Sequence, residues 1–463
     1  MMIIIDNYII ALVLSTPLLA AIFITLTPAS DIGSKRAMSK FFSSIVFLFT
    51  LRLIYLFISN KTQNQYILST NLNQINISFI TSINKENIFL FCAIAIALLA
   101  DMFLYEFNNT KTNIHQSAPF LLTFILFISL AQKDIRVALP IISAASFIIF
   151  FIIGHSSKKH RGAAIFQTGI VIFTCDALAL ILLQLKSSTT GSSTVFNLMQ
   201  IAILLPGLSR ITLPIFAPFM KTLFLNLEAS EGPFILAFLH VAGFFILFIT
   251  RNEINIDPSI LSLIISIFSS LGALYLSFNV IYEKKIGIIP YYFLTLYSSL
   301  SASIIFITKK NESWHISAVV FLLSIIIFMY ISKKASLTEQ YNLFRTQNSS
   351  VSASWFLSLC LLLGLPGFGI GVVTWPALRA IYQHTLKATD SWSQLWHAII
   401  ISWVIALSLF AYGLLIKTKT GVPVMTGNKV VLVKKTFFLS PFIVAIISLI
   451  VPIATNYVSQ QLK

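Results

Sequence analysis

The chain has 463 residues, of which 57% are hydrophobic and only 10% are charged, and its mean hydropathy is +0.90. A soluble domain carries about 25% charged residues, so this composition excludes an ordinary soluble protein and predicts an integral membrane protein. The formal net charge of +16 does not indicate nucleic-acid binding, because the basic residues lie mostly in short loops between apolar runs, where they determine topology.

A helix needs about 20 apolar residues to cross a bilayer, because backbone groups cannot stay unpaired in lipid. The sequence therefore predicts an all-α integral membrane fold with about 14 transmembrane helices. Lysine and arginine are more frequent in the loops after odd-numbered spans, which places both termini outside, on the periplasmic side of an inner membrane. The predicted spans are residues 7–27, 41–59, 87–105, 118–132, 137–154, 163–185, 197–225, 233–250, 258–281, 287–307, 315–332, 353–375, 395–416 and 436–455.

Two of these spans contain residues that interrupt helices. Span 7 reads LLPGLSRITLPIFAPFMKTLFLNL, with Pro206, Pro214 and Pro218, and span 12 reads LCLLLGLPGFGIGVVTWPALRA, with Pro366 and Gly367. Proline removes a backbone donor and clashes with the preceding turn, which leaves carbonyls in need of other partners. Two breaks five spans apart are typical of transporters with internal inverted repeats. The alternative is that these residues only allow close helix packing.

Few ionisable residues lie inside the spans. A charge at mid-bilayer costs roughly 2.5 to 3.5 kcal/mol, so such residues usually face a bundle interior and mark a function. Asp176 in span 6 and Arg210 beside the break in span 7 could approach each other, either as a gate or as a structural clamp. His240 in span 8 suits a proton relay, because imidazole titrates near neutral pH, but a neutral histidine in a helix interface is the alternative.

The remaining ionisable candidates have stronger structural alternatives. Glu228 precedes span 8, where a carboxylate either caps the helix or attracts an entering ion. His315 begins span 11 next to Trp314, a residue typical of the membrane interface. Arg52 and Asp101 are predicted to be structural, because Arg52 can extend towards the surface and Asp101 lies near the end of span 3.

Several segments resemble the proton-conducting antiporter-like subunits of respiratory complex I and of the multisubunit Na⁺/H⁺ antiporters. LEASEGPFILAFLHVAG is similar to the family's L-E-A-P-T-P-V-S-A-L-L-H-A, with Glu228 and His240 at matching positions. FQTGIVIFTCDALALILL, SWHISAVVFLL and LGLPGFGIG resemble the family's sixth, eleventh and twelfth helices, which places Asp176 and His315 on family positions.

The resemblance implies two inverted five-helix repeats with broken seventh and twelfth helices. The single polytopic domain, 1–463, would then contain helices 1–3 in 1–117, the first repeat in 118–250, the second in 258–416 and a last helix in 436–455.

The sequence departs from the family at most of the residues that carry protons. The fifth helix, VALPIISAASFIIFFIIG, lacks the family's glutamate, and the lysine expected four residues after His315 is Val319. The seventh-helix lysine is also missing, although Arg210 lies close by, and Thr374 lies near the position of the twelfth-helix lysine or glutamate.

Three functions remain open at this point. The resemblance implies proton or Na⁺/H⁺ translocation within a larger NADH:quinone oxidoreductase-like or antiporter complex. Family relatives also accumulate inorganic carbon with a soluble zinc-containing partner, and the missing charges allow a scaffold subunit that conducts nothing.

No motif for a nucleotide, a cofactor or a catalytic metal is present in the sequence. We therefore expect no catalytic site, cofactor or metal in this chain. The expected partners are other membrane subunits, with a soluble protein as a further option, together with protons or Na⁺ and lipid.

Overall fold

The structure is a computed structural model and describes most of the apolar part of the chain. The described residues are 8–28, 30–59, 65–72, 75–82, 87–104, 113–155, 161–188, 202–211, 216–227, 232–253, 258–283, 286–307, 312–341, 361, 369–387, 390–420, 446, 447, 450, 451 and 453. Within them the chain forms fourteen α-helices, one short 3-10 helix at Ile286–Ile288 and one β-hairpin. The all-α membrane fold is confirmed, with the hairpin as an unpredicted addition.

The described residues divide into two compact units, the first within residues 1–211 and 219–256 and the second within 212–218 and 257–461. The helices that lie in the first unit, apart from the first two residues of α8, are α1 (Ile9–Leu26), α2 (Ile32–Ile58), α3 (Ile88–Leu104), α4 (Asn113–Leu130), α5 (Ile135–His155), α6 (Arg161–Ser188), α7 (Leu205–Arg210), α8 (Ala217–Asn226) and α9 (Gly232–Glu253).

The helices of the second unit are α10 (Pro258–Tyr282), α11 (Ile289–Ile307), α12 (Glu312–Tyr341), α13 (Gly371–Lys387) and α14 (Asp390–Thr420). The 3-10 helix joins α10 to α11, so these two helices form an antiparallel hairpin. Helix α10 packs along both α11 and α14.

Six described helices are long and apolar enough to cross a membrane, which agrees with a multi-pass protein. Their apolar windows are Ile9–Leu26, Ile32–Phe57, Gly232–Arg251, Leu261–Tyr282, Ile289–Ile307 and Ser393–Ile416. The α9 and α11 windows are completely buried inside their units, whereas those of α1, α2 and α14 are mostly accessible. Buried central helices and accessible outer helices are the arrangement expected of a bundle whose outer surface faces lipid or other subunits.

The structure corrects the end of one predicted span and agrees with the separation of spans 4 and 5. The helix of span 12 begins at Gly371 and ends at Lys387, although the prediction ended that span at 375. The polar residues after Trp375, including Arg379 and His384, suggested a loop, but they continue the helix. Spans 4 and 5 are two separate helices joined by a short turn at residues 131–134. Span 14 lies largely outside the described residues.

The β-hairpin occupies the polar interval between spans 2 and 3. Strands β1 (Gln65–Leu72) and β2 (Ile75–Ser82) pair antiparallel, with Gln65 opposite Ser82 and Leu72 opposite Ile75. Each strand alternates apolar and polar residues over part of its length, as in INISFI. This period of two is the usual sequence signal of a strand, and the span-based prediction missed it.

Candidate functional site

Asp176 and Arg210 form a buried ion pair at the interruption of span 7. Nη1 of Arg210 donates to Oδ1 of Asp176 at 2.6 Å, and Nη2 donates to Oδ2 at 2.6 Å. The side chains are 3% exposed for Asp176 and 0% exposed for Arg210. Two parallel bonds of this length are the strong, geometrically specific form of an arginine–carboxylate contact. The structure thus brings together the two charged residues that the sequence placed on neighbouring spans.

Two serines of α5 form hydrogen bonds with this ion pair. Ser143 Oγ donates to Asp176 Oδ2 at 2.5 Å and also lies 2.9 Å from the carbonyl of Leu139. A hydroxyl has one hydrogen, and the charged carboxylate is the nearer and stronger acceptor. Ser146 Oγ accepts from Arg210 Nη2 at 3.3 Å. Helix α5, which lacks the family's glutamate, therefore contributes hydroxyls in place of an acid.

The guanidinium of Arg210 uses four of its five N–H donors within the described structure. Nη1 donates to the carbonyl of Pro206 at 3.0 Å as well as to Asp176. Among the described residues, Nε has no hydrogen-bond partner, although it is buried. An arginine carries five donors, so one remains for a further ligand such as water.

The short helix α7 places Arg210 where its charge is favourable. Pro206 lies in the first turn of α7, where proline is tolerated because that N–H would have no partner within the helix. Arg210 is the last residue of α7, and a cation there is stabilised by the helix dipole. Helix α8 begins only at Ala217, with Pro218 in its first turn. Span 7 therefore consists of two helices, one that ends at Arg210 and one that begins at Ala217.

A contact between two glycines holds α9 against α7. A Cβ at Gly243 would lie 2.7 Å from the Cβ of Arg210 and 2.9 Å from the carbonyl of Gly207. A Cβ at Gly207 would lie 2.9 Å from the carbonyl of Gly243. Only residues without a side chain allow two helix backbones to approach this closely, as at small-residue crossings in membrane bundles. Gly243 therefore fixes the position of Arg210 through backbone packing.

His240 lies one turn before Gly243 on the completely buried helix α9. Its Nδ1 is 2.8 Å from the carbonyl of Leu236. A carbonyl only accepts, so Nδ1 carries the hydrogen of the neutral ring in this contact. Residues three apart share a helix face, so His240 and the contact with Arg210 lie on neighbouring parts of α9.

The structure describes the other predicted site residues only in part. Glu228, Pro214, Pro366 and Gly367 lie outside the described residues, and His315 lies in α12 with its side chain outside them. These assignments remain predictions.

The two charged residues that were predicted to be structural lie in the first unit. The guanidinium of Arg52 lies 5.1 Å from the centre of the Tyr55 ring on the same helix. Asp101 is buried in α3.

The hydrogen bonds that the structure describes at the span 12 interruption come from uncharged groups. Gly369 has a φ of +56°, a left-handed conformation that glycine adopts without steric cost. The amide of Ile370 donates to the carbonyl of Leu361 at 3.3 Å. Thr374 Oγ1 donates to the carbonyl of Ile370 at 2.9 Å.

Sequence reasoning missed three groups of this arrangement. Ser143, Ser146 and Gly243 are ordinary residues of membrane helices, and nothing in their spacing separates them from packing residues. The one available signal was the absence of an acid in α5 combined with the serines of ISAAS, which supply hydroxyls near the same depth.

Neither a protein-family profile nor a curated protein matches this sequence. Solved structures do match. A chain of respiratory complex I from Thermus thermophilus, determined with bound NADH, superposes with a TM-score of 0.76 at 13% identity, over 98% of this chain and 100% of that chain. A chain of the membrane-bound sulfane sulfur reductase, an archaeal respiratory membrane complex, gives 0.73 at 13% identity, over 98% and 96% of the two chains.

A chain of the Mrp complex from Dietzia sp. DQ12-45-1b gives a TM-score of 0.74 at 11% identity. The alignment covers 97% of this chain but 52% of the Mrp chain, so this protein spans about half of that relative's length. The chain has the antiporter-like fold. At 10 to 13% identity the antiporter-like fold is what these similarities establish, and the role of each side chain depends on the site itself.

Proposed function

We propose that this antiporter-like chain is a membrane subunit of a larger complex and translocates protons, or exchanges Na⁺ for protons, through its first unit. The similar chains belong to respiratory complexes and to the Mrp complex, which supports a place among other membrane subunits. The buried ion pair of Asp176 and Arg210 at an interrupted helix is the observation that carries the proposal. Buried ionisable residues in membrane helices usually mark an ion pathway.

The ion pair acts as a gate in this proposal. Asp176 accepts three hydrogen bonds, from the two terminal nitrogens of Arg210 and from Ser143. A proton that binds Asp176 removes the carboxylate charge and weakens both bonds to Arg210, which can then turn towards other acceptors. The remaining Nε donor of Arg210 is the point at which a water molecule joins the pathway.

His240 supplies the relay on the α9 side of the gate. Its Nδ1 lies 2.8 Å from the carbonyl of Leu236, which orients the imidazole, and this ring is the group that takes up and releases a proton. In this proposal water carries protons between His240 and Asp176, past the contact of Gly207 with Gly243. Both residues lie near the middle of their helices, as a relay across a bilayer requires.

The test is proton flux in vesicles that contain the complex purified through a tag on this chain. With an imposed Na⁺ or K⁺ gradient, Asp176→Asn and His240→Ala should reduce proton flux to background while the complex still assembles. Thr250→Val is the matched control, because Thr250 is also fully buried on α9 and bonds the carbonyl of Ile246 four residues earlier. Unchanged flux in both site variants would remove the proposed pathway.

A non-conducting scaffold is the second candidate, and the closure of the ion pair favours it. A bidentate pair with further hydrogen bonds on both partners also has the geometry of a clamp between α6 and α7. A scaffold subunit needs only intact packing, and none of its residues has to bind or release a proton. Background flux in the native complex, with normal assembly of an Asp176→Leu and Arg210→Met double variant, would select this alternative.

A further inference from the structure

Helix α13 buries one face in the second unit and exposes the opposite face. It packs on α11, α12 and α14. The buried face recurs every four residues, at Val373, Ala377, Ile381 and Thr385. The exposed face consists of Trp375, Arg379, Tyr382 and Leu386. Its three large hydrophobic side chains are 72%, 48% and 64% exposed, so this face has no cover within the second unit.

The outward face of α10, in the same unit, has a different chemistry. Its large exposed side chains are aromatic or aliphatic, at Phe268, Leu271, Tyr275, Phe278 and Tyr282. Such a face can lie against lipid. Charged residues of membrane spans almost always face protein or a water-filled cavity, because a charge in lipid is costly. The exposed face of α13 carries such a charge at Arg379, so lipid is a poor neighbour for it.

Arg379 lies inside the apolar layer and not at its edge. The ring of His384 in α13 lies 4.7 Å from the ring of Trp396, centre to centre. Trp396 belongs to the apolar window of α14, which begins at Ser393. An α-helix rises about 1.5 Å per residue, so Arg379 lies about 7.5 Å further along α13 than His384, towards Gly371. This position is deeper in the apolar layer than the His384 contact.

The direction of the Arg379 side chain also disfavours a lipid headgroup as its partner. Helical side chains tilt towards the N-terminus of their helix, so Arg379 points towards Gly371 and away from the helix end at Lys387. Arginines reach headgroups from positions near helix ends, whereas Arg379 is in the middle of α13. Among the described residues, Arg379 forms no hydrogen bond or ion pair. Its guanidinium needs an acid that the described part of the chain does not supply.

We propose that Trp375, Arg379, Tyr382 and Leu386 form a docking surface for a membrane helix of a neighbouring subunit, and that this helix presents an aspartate or glutamate to Arg379. The surface rests on the part of the proposed function that places this chain among other membrane subunits. A guanidinium binds a carboxylate through two parallel hydrogen bonds. Trp375 and Tyr382 lie one turn to either side of Arg379, and tryptophan, tyrosine and arginine contribute most to binding at protein interfaces.

The first test is association of the full chain with its complex, purified in mild detergent through a tag on this chain. Arg379→Met should weaken association about tenfold or more, because the carboxylate of the partner loses its counter-ion. Arg379→Glu should weaken it further, because two carboxylates then meet. Arg136→Glu is the matched control, since Arg136 is an exposed arginine that already pairs with Asp134 of the same chain. This control should leave association unchanged.

The second test identifies the chemistry of the partner. A benzophenone amino acid in place of Tyr382 should form, under ultraviolet light, an adduct with one membrane helix of a neighbouring subunit. Mass spectrometry of the adduct should place it within about one helical turn of an aspartate or glutamate. Replacement of that acid by arginine should restore association of the Arg379→Glu chain, because the exchange of charges recreates the pair.

Several outcomes would overturn the docking surface. Normal association of Arg379→Met, or an equal loss in Arg136→Glu, would show that Arg379 has no specific partner. Adducts only with phospholipid, with a second copy of this chain or with a helix that lacks an acid would exclude the proposed occupant. The isolated Arg379→Met chain should unfold at the native temperature or above, and a lower temperature would assign Arg379 to the fold of this chain instead.

The two proposals fail in different ways. Association and adduct formation need no proton movement, so they decide the docking surface even in a complex that conducts nothing. Normal assembly and normal proton flux with Arg379→Met would reject the docking surface and leave the proposed function intact.

Discussion

The two completely buried helices, α9 and α11, solve the same problem with different chemistry. Helix α9 is packed by phenylalanines and aliphatic residues, and at Gly243 it packs directly against Arg210 of the charged pair. Helix α11 carries hydroxyls along its length, and the Tyr291 hydroxyl donates to the carbonyl of Ala217, the first residue of α8. The contrast is between a helix that supports a charged site by close packing and one that forms neutral hydrogen bonds.

This difference explains why the missing family charges are not spread evenly. An interrupted helix must satisfy its free carbonyls, but neutral hydroxyls can do so as well as charged groups. In the second unit Thr374 does this by donating to the carbonyl of Ile370, near the position where the resemblance places a lysine or glutamate. The first unit retains Asp176 and Arg210, so we place proton movement there.

Breaking the ion pair should have the largest effect on the first unit. Arg210→Met leaves Asp176 buried and uncompensated, so we expect a loss of about 3 to 5 kcal/mol in the free energy of unfolding. The Asp176→Leu and Arg210→Met double variant should recover most of this stability, because it removes both charges. Thermal unfolding of the purified chain in detergent compares Arg210→Met, Asp176→Leu and the double variant. A double variant less stable than either single one would mean that the pair is needed for the fold.

Filling the glycine contact should have the next largest effect. In Gly243→Ala the added carbon meets the Cβ of Arg210 at 2.7 Å and the carbonyl of Gly207 at 2.9 Å, and neither atom can rotate away. We expect a cost of about 1 to 3 kcal/mol, typical of overpacking.

Gly413→Ala on α14 is the control in the other unit, because its added carbon meets side-chain atoms of Ile281 and Val280 at 3.1 Å. Since those side chains can adjust, its cost in unfolding free energy should be clearly smaller. Equal costs at the two glycines would show that the α9 contact is no tighter than an ordinary helix crossing.

A comparison of single serines separates charged from neutral hydrogen bonding. Ser143→Ala removes a donor to the Asp176 carboxylate, and hydrogen bonds to charged groups contribute about 1.5 to 3 kcal/mol. Ser301→Ala in α11 removes a neutral bond to the carbonyl of Tyr297, for which about 0.5 to 1.5 kcal/mol is usual. Because Ser143 is only partly buried, we expect the lower end of its range. Denaturation of both variants under the same conditions gives the difference, and a larger loss for Ser301→Ala would reverse the ranking.

The smallest effect is expected at an exposed carboxylate. Asp31 caps the N-terminus of α2, where its Oδ1 accepts from the amide of Ser34 at 3.0 Å. Hydrogen bonds from Ser34, and then the charge of Lys35, lower the pKa of Asp31 below its ordinary value of 3.8. A lowered pKa means that the cap is fully effective above 3.8 and is lost as the pH falls through the lower folded value.

Amide exchange of residues 32–36, corrected for intrinsic rates, should therefore accelerate only in strong acid. Asp31→Asn keeps an acceptor oxygen that does not titrate, and this variant should show no such acceleration. The same acid-induced acceleration in Asp31→Asn would assign the change to another group.

Much of the fold could be predicted because the bilayer imposes a simple rule on sequence. Apolar runs of helix length mark the spans, and Pro206, Pro214 and Pro218 marked the interruption of span 7. The end of α13 could not be predicted in this way, because Arg379 and His384 look like loop residues. Their helical conformation depends on tertiary contacts, such as the ring contact between His384 and Trp396 of α14.

The candidate site was predictable only where it carries charge. Asp176 and Arg210 were visible because a charge in a span is costly and therefore rare. Ser143 and Gly243 were not visible, since serine and glycine are common in membrane helices and their roles depend on which neighbour they contact. Such roles are properties of three-dimensional contact and leave no pattern in a single sequence.

The hydroxyls of α11 also bear on how the chain is made. Helix α9 is apolar enough to leave the translocon for lipid alone, whereas α11 would carry its hydroxyls into lipid without partners. Its antiparallel neighbour α10 is made immediately before it, so we expect the two helices to enter the bilayer as a pair. Glycosylation mapping of nascent chains would detect this order, since α11 with α10 replaced by a polar segment should then fail to integrate.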